Sequence, residues 1–191
     1  MRTSGDTAAS DDGAPPRGER VLSDGRVVLM RATGYDSPVA RRLVAAVQQE
    51  YVLRYGGPDD AVVDPAEFAA PVGLFLVAEV DREPVGCAAW RVHAPGVVEV
   101  KRVYVAAAAR RLGLASMLMD ELEAGAAAAG HRAVVLNTGD RQPEAIELYR
   151  RRGYRPAPGY GVYADSPGAV FLGKDLSGGQ SRQQEEQSWA S

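Results

Sequence analysis

Val98–Gly130, VEVKRVYVAAAARRLGLASMLMDELEAGAAAAG, reads as a strand, a short alanine loop, a basic turn with one glycine, and a long helix. Val98 and Val100 alternate with polar neighbours, as one face of a half-buried strand does. Val103 and Val105 are apolar as well, but one position out of phase. A period of two that slips by one residue fits an extra residue in the strand, a β-bulge near Lys101–Arg102. Such a bulge would leave backbone N–H and C=O groups open to something that is not a strand. A strand buried on both faces would carry the same residues, and spacing alone leaves both readings open.

The turn is Arg110-Arg111-Leu112-Gly113-Leu114-Ala115. The first N–H groups of a helix lack partners, and no Ser, Thr, Asp or Asn stands nearby to cap them. Two arginines also sit at the positive end of the helix dipole, where cations are unfavourable. A bound anion answers both points. Gly113 lets the backbone approach, the N–H groups point at the anion, and the arginines add charge. The alternative is a surface helix with water at its end and solvated arginines.

Arg110-x-x-Gly113-x-Ala115, after a strand ending Val103-Tyr104-Val105, resembles the acetyl-CoA signature of the GNAT N-acetyltransferase superfamily. A second element follows in order: Gln142-Pro-Glu-Ala145-Ile-Glu-Leu148-Tyr149, then Gly153-Tyr154. It is similar to that family's second CoA-side helix, Asn-x-x-Ala-x-x-Leu-Tyr-x-x-x-Gly-Phe/Tyr. The resemblance spans Arg26 to Leu176. It implies an α/β fold, a mixed central sheet with a bulged, splayed central strand and helices on both faces. The sequence departs from the pattern in places. Arg111 replaces a glycine, Ala115 replaces the final glycine, and alanine replaces the usual Pro-Glu of the preceding loop.

The resemblance also implies a chemistry. Acetyl-CoA, as co-substrate, would lie against the bulged strand, its pantetheine on Val103, Tyr104 and Val105. Its pyrophosphate would lie on the N–H groups of Arg110, Arg111, Leu112, Gly113, Leu114 and Ala115, with Ser116 next along and Gln142 adding an amide contact. A primary amine would attack directly. Glu99 is the candidate base: a carboxylate inside an apolar strand needs a reason, and it matches the glutamate of histone-type members. Its alternative is an exposed acid paired with Lys101 or Arg102. Tyr149 is the candidate acid toward the departing thiolate, or else a core tyrosine. A catalytically silent acyl-CoA sensor or interaction module is the other function class, against which the retained Glu99 and Tyr149 argue.

The rest of the chain frames this. Its 191 residues suffice for one domain with a sizeable core. No apolar run approaches the roughly 20 residues of a membrane span, and no signal core is visible, so a cytoplasmic site is expected. Cys87, the single cysteine, excludes an internal disulfide and reads as a small core residue. His93 and His131 show no metal-ligand spacing. Lys101–Arg155 carries a net charge of +4 and the remainder −7, a balance suited to a polyanionic cofactor and a cationic substrate. The basic part lacks the density and aromatic interleaving of a nucleic-acid binder. A homodimer would be ordinary.

Residues 1–20 and 177–191 have the composition of disordered tails around a domain at 21–176. Within it the pattern predicts a strand at Arg26–Arg31 and a helix capped by Asp36 or Ser37, with Pro38 at its first position and an end at Gly56. It also predicts a short helix near Pro65–Ala69 and a hairpin of Leu74–Val80 with Val85–His93. Beyond the central stretch come a strand at Ala133–Thr138, a helix from Pro143 to Gly153, and closing strands at Tyr154–Pro156 and Ala169–Leu176. Tyr35, Tyr51, Tyr55, Trp90 and Tyr160 are aromatic residues available to an acceptor pocket or to the core.

Overall fold

The computed structural model describes residues 18–59 and 61–177. One eight-stranded sheet runs through it. Its strands are β1 (Gly18–Val21), β2 (Val27–Ala32), β3 (Gly73–Val80), β4 (Glu83–Ala94), β5 (Val97–Val105), β6 (Ala133–Gly139), β7 (Arg155–Pro156) and β8 (Ala169–Asp175). Their spatial order is β1-β2-β3-β4-β5-β6-β8-β7. Only β5 and β6 run parallel; every other neighbouring pair is antiparallel. The helices are α1 (Pro38–Tyr55), α2 (Leu114–Ala128) and α3 (Pro143–Arg151).

Local chemistry sets these boundaries. Ser37 caps α1, its hydroxyl accepting from the Ala40 N–H at 3.3 Å, and Gly56 closes it with φ 86°. Asp64 and Glu67 form a reciprocal capping box around a 3₁₀ turn, Pro65–Phe68. Asp81 and Arg82, at φ 53° and 66°, supply the left-handed pair that a two-residue hairpin turn between β3 and β4 needs. α2 ends with Gly130 at φ 87°, and the N–H groups of Gly130 and His131 close back on Ala127 and Ala126.

The sheet has two covered faces, and β3 shows the sorting. Leu74, Leu76 and Ala78 join a core with Leu114, Leu118, Met119 and Leu122 of α2 and Tyr149 of α3. Phe75 and Val77 point the other way, into a second core with Val39, Ala40, Leu43 and Val47 of α1 and with Phe68. A period of two thus divides one strand between two helical layers. Leu53, near the end of α1, is exposed.

One boundary differs from expectation. Gly18–Arg20, assigned to the tail, pair with Met30–Val28 as the edge of the sheet. Residues 1–17 and 178–191, the remaining tail assignments, lie outside the described residues. No helix among the described residues is long and apolar enough to cross a membrane.

Candidate active site

The site begins with a gap in the sheet. β5 and β6 pair only from Val97–Ala133 to Val100–Leu136. In the β4–β5 ladder, Cys87 faces Tyr104 but Ala89 faces Lys101, so two steps on β4 match three on β5. The extra residue sits at Arg102, whose φ is 59°. The slip in phase is therefore a bulge. Past it, β5 stays with β4 while β6 stays with β8. A cleft of about 620 Å³ opens where they part. Val100, Lys101 and Arg102 form one wall, Asn137 and Thr138 another, and Tyr51, Tyr55 and Tyr163 surround them.

Arg102 is buried and needs partners, because an unpaired buried charge is costly. Its Nη1 lies 2.5 Å from Asp59 Oδ2, and its Nε donates to the Tyr35 hydroxyl at 3.2 Å. Asp59 also accepts from the Tyr163 hydroxyl at 2.8 Å and the Ala61 N–H at 3.0 Å. Burial works against ionisation of Asp59, but these donors and the Arg102 charge hold its carboxyl below the usual range. Burial pushes the Tyr51 phenol up to about 12, with Arg102 opposing. Burial likewise pushes the Cys87 thiol up to about 12, and its Sγ donates to the Arg102 carbonyl at 3.3 Å. Cys87 is a core residue, as its apolar strand indicated.

The second part of the site is the start of α2. Gly113 is its N-cap at φ 87°, with no side-chain cap, and Arg111 precedes it at φ 63°. No acceptor among the described residues takes the N–H groups of Arg111 through Ser116. A Cβ at Gly113 would meet only the tip of Met117, so the glycine answers to its backbone angle and leaves the approach open. The arginines are not both available to an anion. Arg110 Nε donates to the Val105 carbonyl at 2.9 Å, and its guanidinium pairs with Glu50 of α1. The Ser116 hydroxyl accepts from Arg152 Nη1 at 2.9 Å; its free N–H is what faces the helix end.

The remaining candidates divide between the two faces. Glu99 is buried and held by Arg91 at 2.9 Å and Lys101 at 3.4 Å. It is thus neither a lone buried carboxylate nor the exposed acid of the alternative reading, and Arg91, which also binds Glu67 at 2.5 Å, supplies the unforeseen charge. Tyr149 lies on the opposite face against Tyr154, their ring centroids 5.7 Å apart. Burial, with a smaller contribution from Tyr51, holds its phenol well above the usual range. Gln142 enters the cleft, its Oε1 accepting from the Thr138 hydroxyl at 2.9 Å. Val103, Tyr104 and Val105 lie past the bulge and do not line the cleft, which meets β5 at Val100–Arg102 instead.

Of the aromatic residues, Tyr51 and Tyr55 line the cleft. Tyr35 stacks on Phe68, and Trp90 is core. Tyr160 packs on His93 and Phe171. Its phenol is raised by burial and then by the Glu99 carboxylate. Asp59, Asn137 and Tyr163 are not marked by any local motif: Asp59 lies in a loop, Asn137 within β6, and Tyr163 in a 3₁₀ turn. Among the described residues, no group of three or more His, Cys, Asp or Glu is placed to hold a metal.

A gapped sheet beside an uncapped, glycine-started helix is the arrangement that the two motifs implied. The profile of the Acetyltransferase (GNAT) family matches residues 41–154. The chain belongs to the GNAT acetyltransferase family. It is an acyltransferase of that family. It is similar to an IAA acetyltransferase of Azospirillum brasilense, 34% identical over 64% of this chain and 80% of the relative. Among solved structures, it resembles one described as an acyl-CoA N-acyltransferase from Klebsiella pneumoniae. That match has a TM-score of 0.65 at 28% identity, over 78% of this chain and 97% of the other. A GNAT acetyltransferase from Elizabethkingia anophelis, solved with acetyl-CoA bound, shares the fold at TM-score 0.58 and 16% identity, over 78% and 97%.

Proposed function

We propose that this GNAT protein moves an acetyl group from acetyl-CoA to a primary amine by direct attack in a ternary complex. The observation that carries the reading is the opening between β5 and β6 combined with the α2 N-terminus, whose N–H groups meet no acceptor among the described residues. The donor set fits the cofactor. A row of N–H groups at a helix start suits a pyrophosphate, and an unpaired strand edge suits a pantetheine arm. Acetyl-CoA, when bound, supplies the activated thioester carbonyl.

The protein groups then have these roles. The N–H groups from Arg111 to Ser116 bind the pyrophosphate, and Arg111 adds charge. Arg110 acts on the cradle indirectly, fastening it to Val105 and Glu50. Gln142, held by Thr138, adds an amide contact from the cleft wall.

As the amine nitrogen bonds to the carbonyl carbon, the carbon–sulfur bond breaks. Glu99 takes the amine proton. Tyr149 gives a proton to the thiolate; its burial keeps the phenol protonated, as a donor must be.

The test is a titration of purified protein with acetyl-CoA, followed by thiol release against a panel of amines. Saturable binding with amine-dependent thiol release is expected. Absence of binding would overturn the Arg110–Ser116 assignment and the transfer reading with it.

A further inference from the structure

The acetyl-transfer reading leaves the acceptor unnamed, and the following rests on that reading. Where β5 and β6 part, three polar side chains share one face of the sheet. Val98, Val100, Val134 and Leu136 belong to the core against α2, so alternation turns Glu99, Lys101 and Asn137 to the opposite side.

Asn137 lines the cleft, and its Nδ2 is buried without a hydrogen-bond partner among the described residues. Burying an amide donor with nothing to bond is costly, and such a group calls for an explanation. Lys101 lines the same cleft, and its Nζ makes one long contact, 3.4 Å to Glu99 Oε1. An ammonium has three donors, so Lys101 has capacity left. Arg102, the other cation on this wall, is already engaged by Asp59 and Tyr35. The cleft thus offers two side chains with unused donors, and a carboxylate, Glu99, in contact with one of them, Lys101.

That is the complement of a molecule carrying both an amine and a carboxylate. We propose that the acceptor is a small carboxylate-bearing amine of the amino-acid type. Its carboxylate binds Lys101 and Asn137, which brings its amine toward Glu99. A simple amine leaves the Asn137 donor unanswered, and a site with an unanswered buried donor rejects the analogue that lacks the group; an amide can answer Asn137 through its carbonyl oxygen but gives Lys101 no counter-charge, which a charge-assisted hydrogen bond needs.

The experiment compares matched acceptors by thiol release from acetyl-CoA: phenylalanine, phenylalaninamide and phenethylamine, the corresponding leucine series, and a lysine peptide with blocked termini. Amino-acid amides have the less basic amines, so a preference for the acids cannot come from a larger neutral fraction. The expected result is a kcat/KM about tenfold or more higher for each acid than for its amide. Lys101→Met and Asn137→Asp should reduce that ratio toward unity, mainly through KM for the acid, with acetyl-CoA titration of each variant reporting the fold. Equal or better turnover of the amides, simple amines or blocked peptide overturns the inference and leaves the transfer reading standing. Failure to bind acetyl-CoA, or to release thiol with any amine, overturns both.

Discussion

Arg102 Nη1 lies 2.5 Å from Asp59 Oδ2, so the bulge in β5 is fastened to the loop that follows α1. The pair joins positions 43 residues apart, and both residues line the cleft. Both side chains are withdrawn from solvent, 3% and 11% exposed. Arg102 also carries the left-handed backbone that the bulge requires.

Removing one member of such a pair leaves the other charge buried without its counter-charge, which costs about 3–5 kcal/mol. Arg102→Met is expected to lower unfolding free energy by about that much in urea. Combining it with Asp59→Asn should recover a substantial part, because the stranded carboxylate is gone. A single variant as stable as wild type would show that the bulge is held by the strand ladder alone.

The same pair gives a pH dependence. The folded protein holds the Asp59 carboxyl below its ordinary value: burial opposes ionisation, but the Arg102 donors and charge outweigh it. A depressed folded-state pKa contributes stability that is fully present above the unfolded value of about 3.9. That contribution disappears as pH falls through the folded value. Below about pH 4, wild type should therefore lose stability more steeply than Asp59→Asn, while the two curves run parallel at neutral pH. Denaturant midpoints measured between pH 3 and 7 check this.

Glu99 and Tyr149 have separable tests, because they lie on opposite faces of the sheet. Glu99→Gln keeps the shape of the side chain and its donors' partner oxygen but removes the proton acceptor. Turnover should fall about a hundredfold, with acetyl-CoA affinity retained. Tyr149→Phe removes one hydroxyl from a packed ring and should lower kcat by a similar order. Single-turnover thiol release and cofactor titration on the same preparations distinguish the two effects. Unchanged turnover in Glu99→Gln across the pH range would remove Glu99 as the base and leave it a partner of Arg91 and Lys101.

What was legible in the sequence was whatever is written locally. The slip of phase between Val100 and Val103 became the bulge at Arg102, the glycine at 113 became an αL helix start, and Gly130 closed α2 as expected. Long-range choices were not legible. Nothing beside Asp59 announces Arg102, nothing beside Glu99 announces Arg91 eight positions earlier on the neighbouring strand, and Arg110 gives no sign that it will bind Glu50. β1 was hidden for a related reason. Gly18–Val21 is an exposed edge strand, and an edge that buries little carries little apolar pattern.

The phosphate cradle can be tested at Gly113 with two substitutions that separate strain from charge. Any side chain at φ 87° meets the left-handed penalty, roughly 1–2 kcal/mol, but the space around a new Cβ is open apart from Met117. Gly113→Ala should therefore lose modest stability and keep measurable acetyl-CoA binding. Gly113→Glu should lose comparable stability and abolish binding, because it sets a carboxylate where the N–H groups of Leu114, Ala115 and Ser116 would meet the pyrophosphate. Calorimetric titration of both variants, with thermal melts as the control for folding, reads the difference. Equal affinities in the two would mean that the helix start does not contact the anion, and the cofactor would have to enter the β5–β6 gap from the Tyr51 side instead.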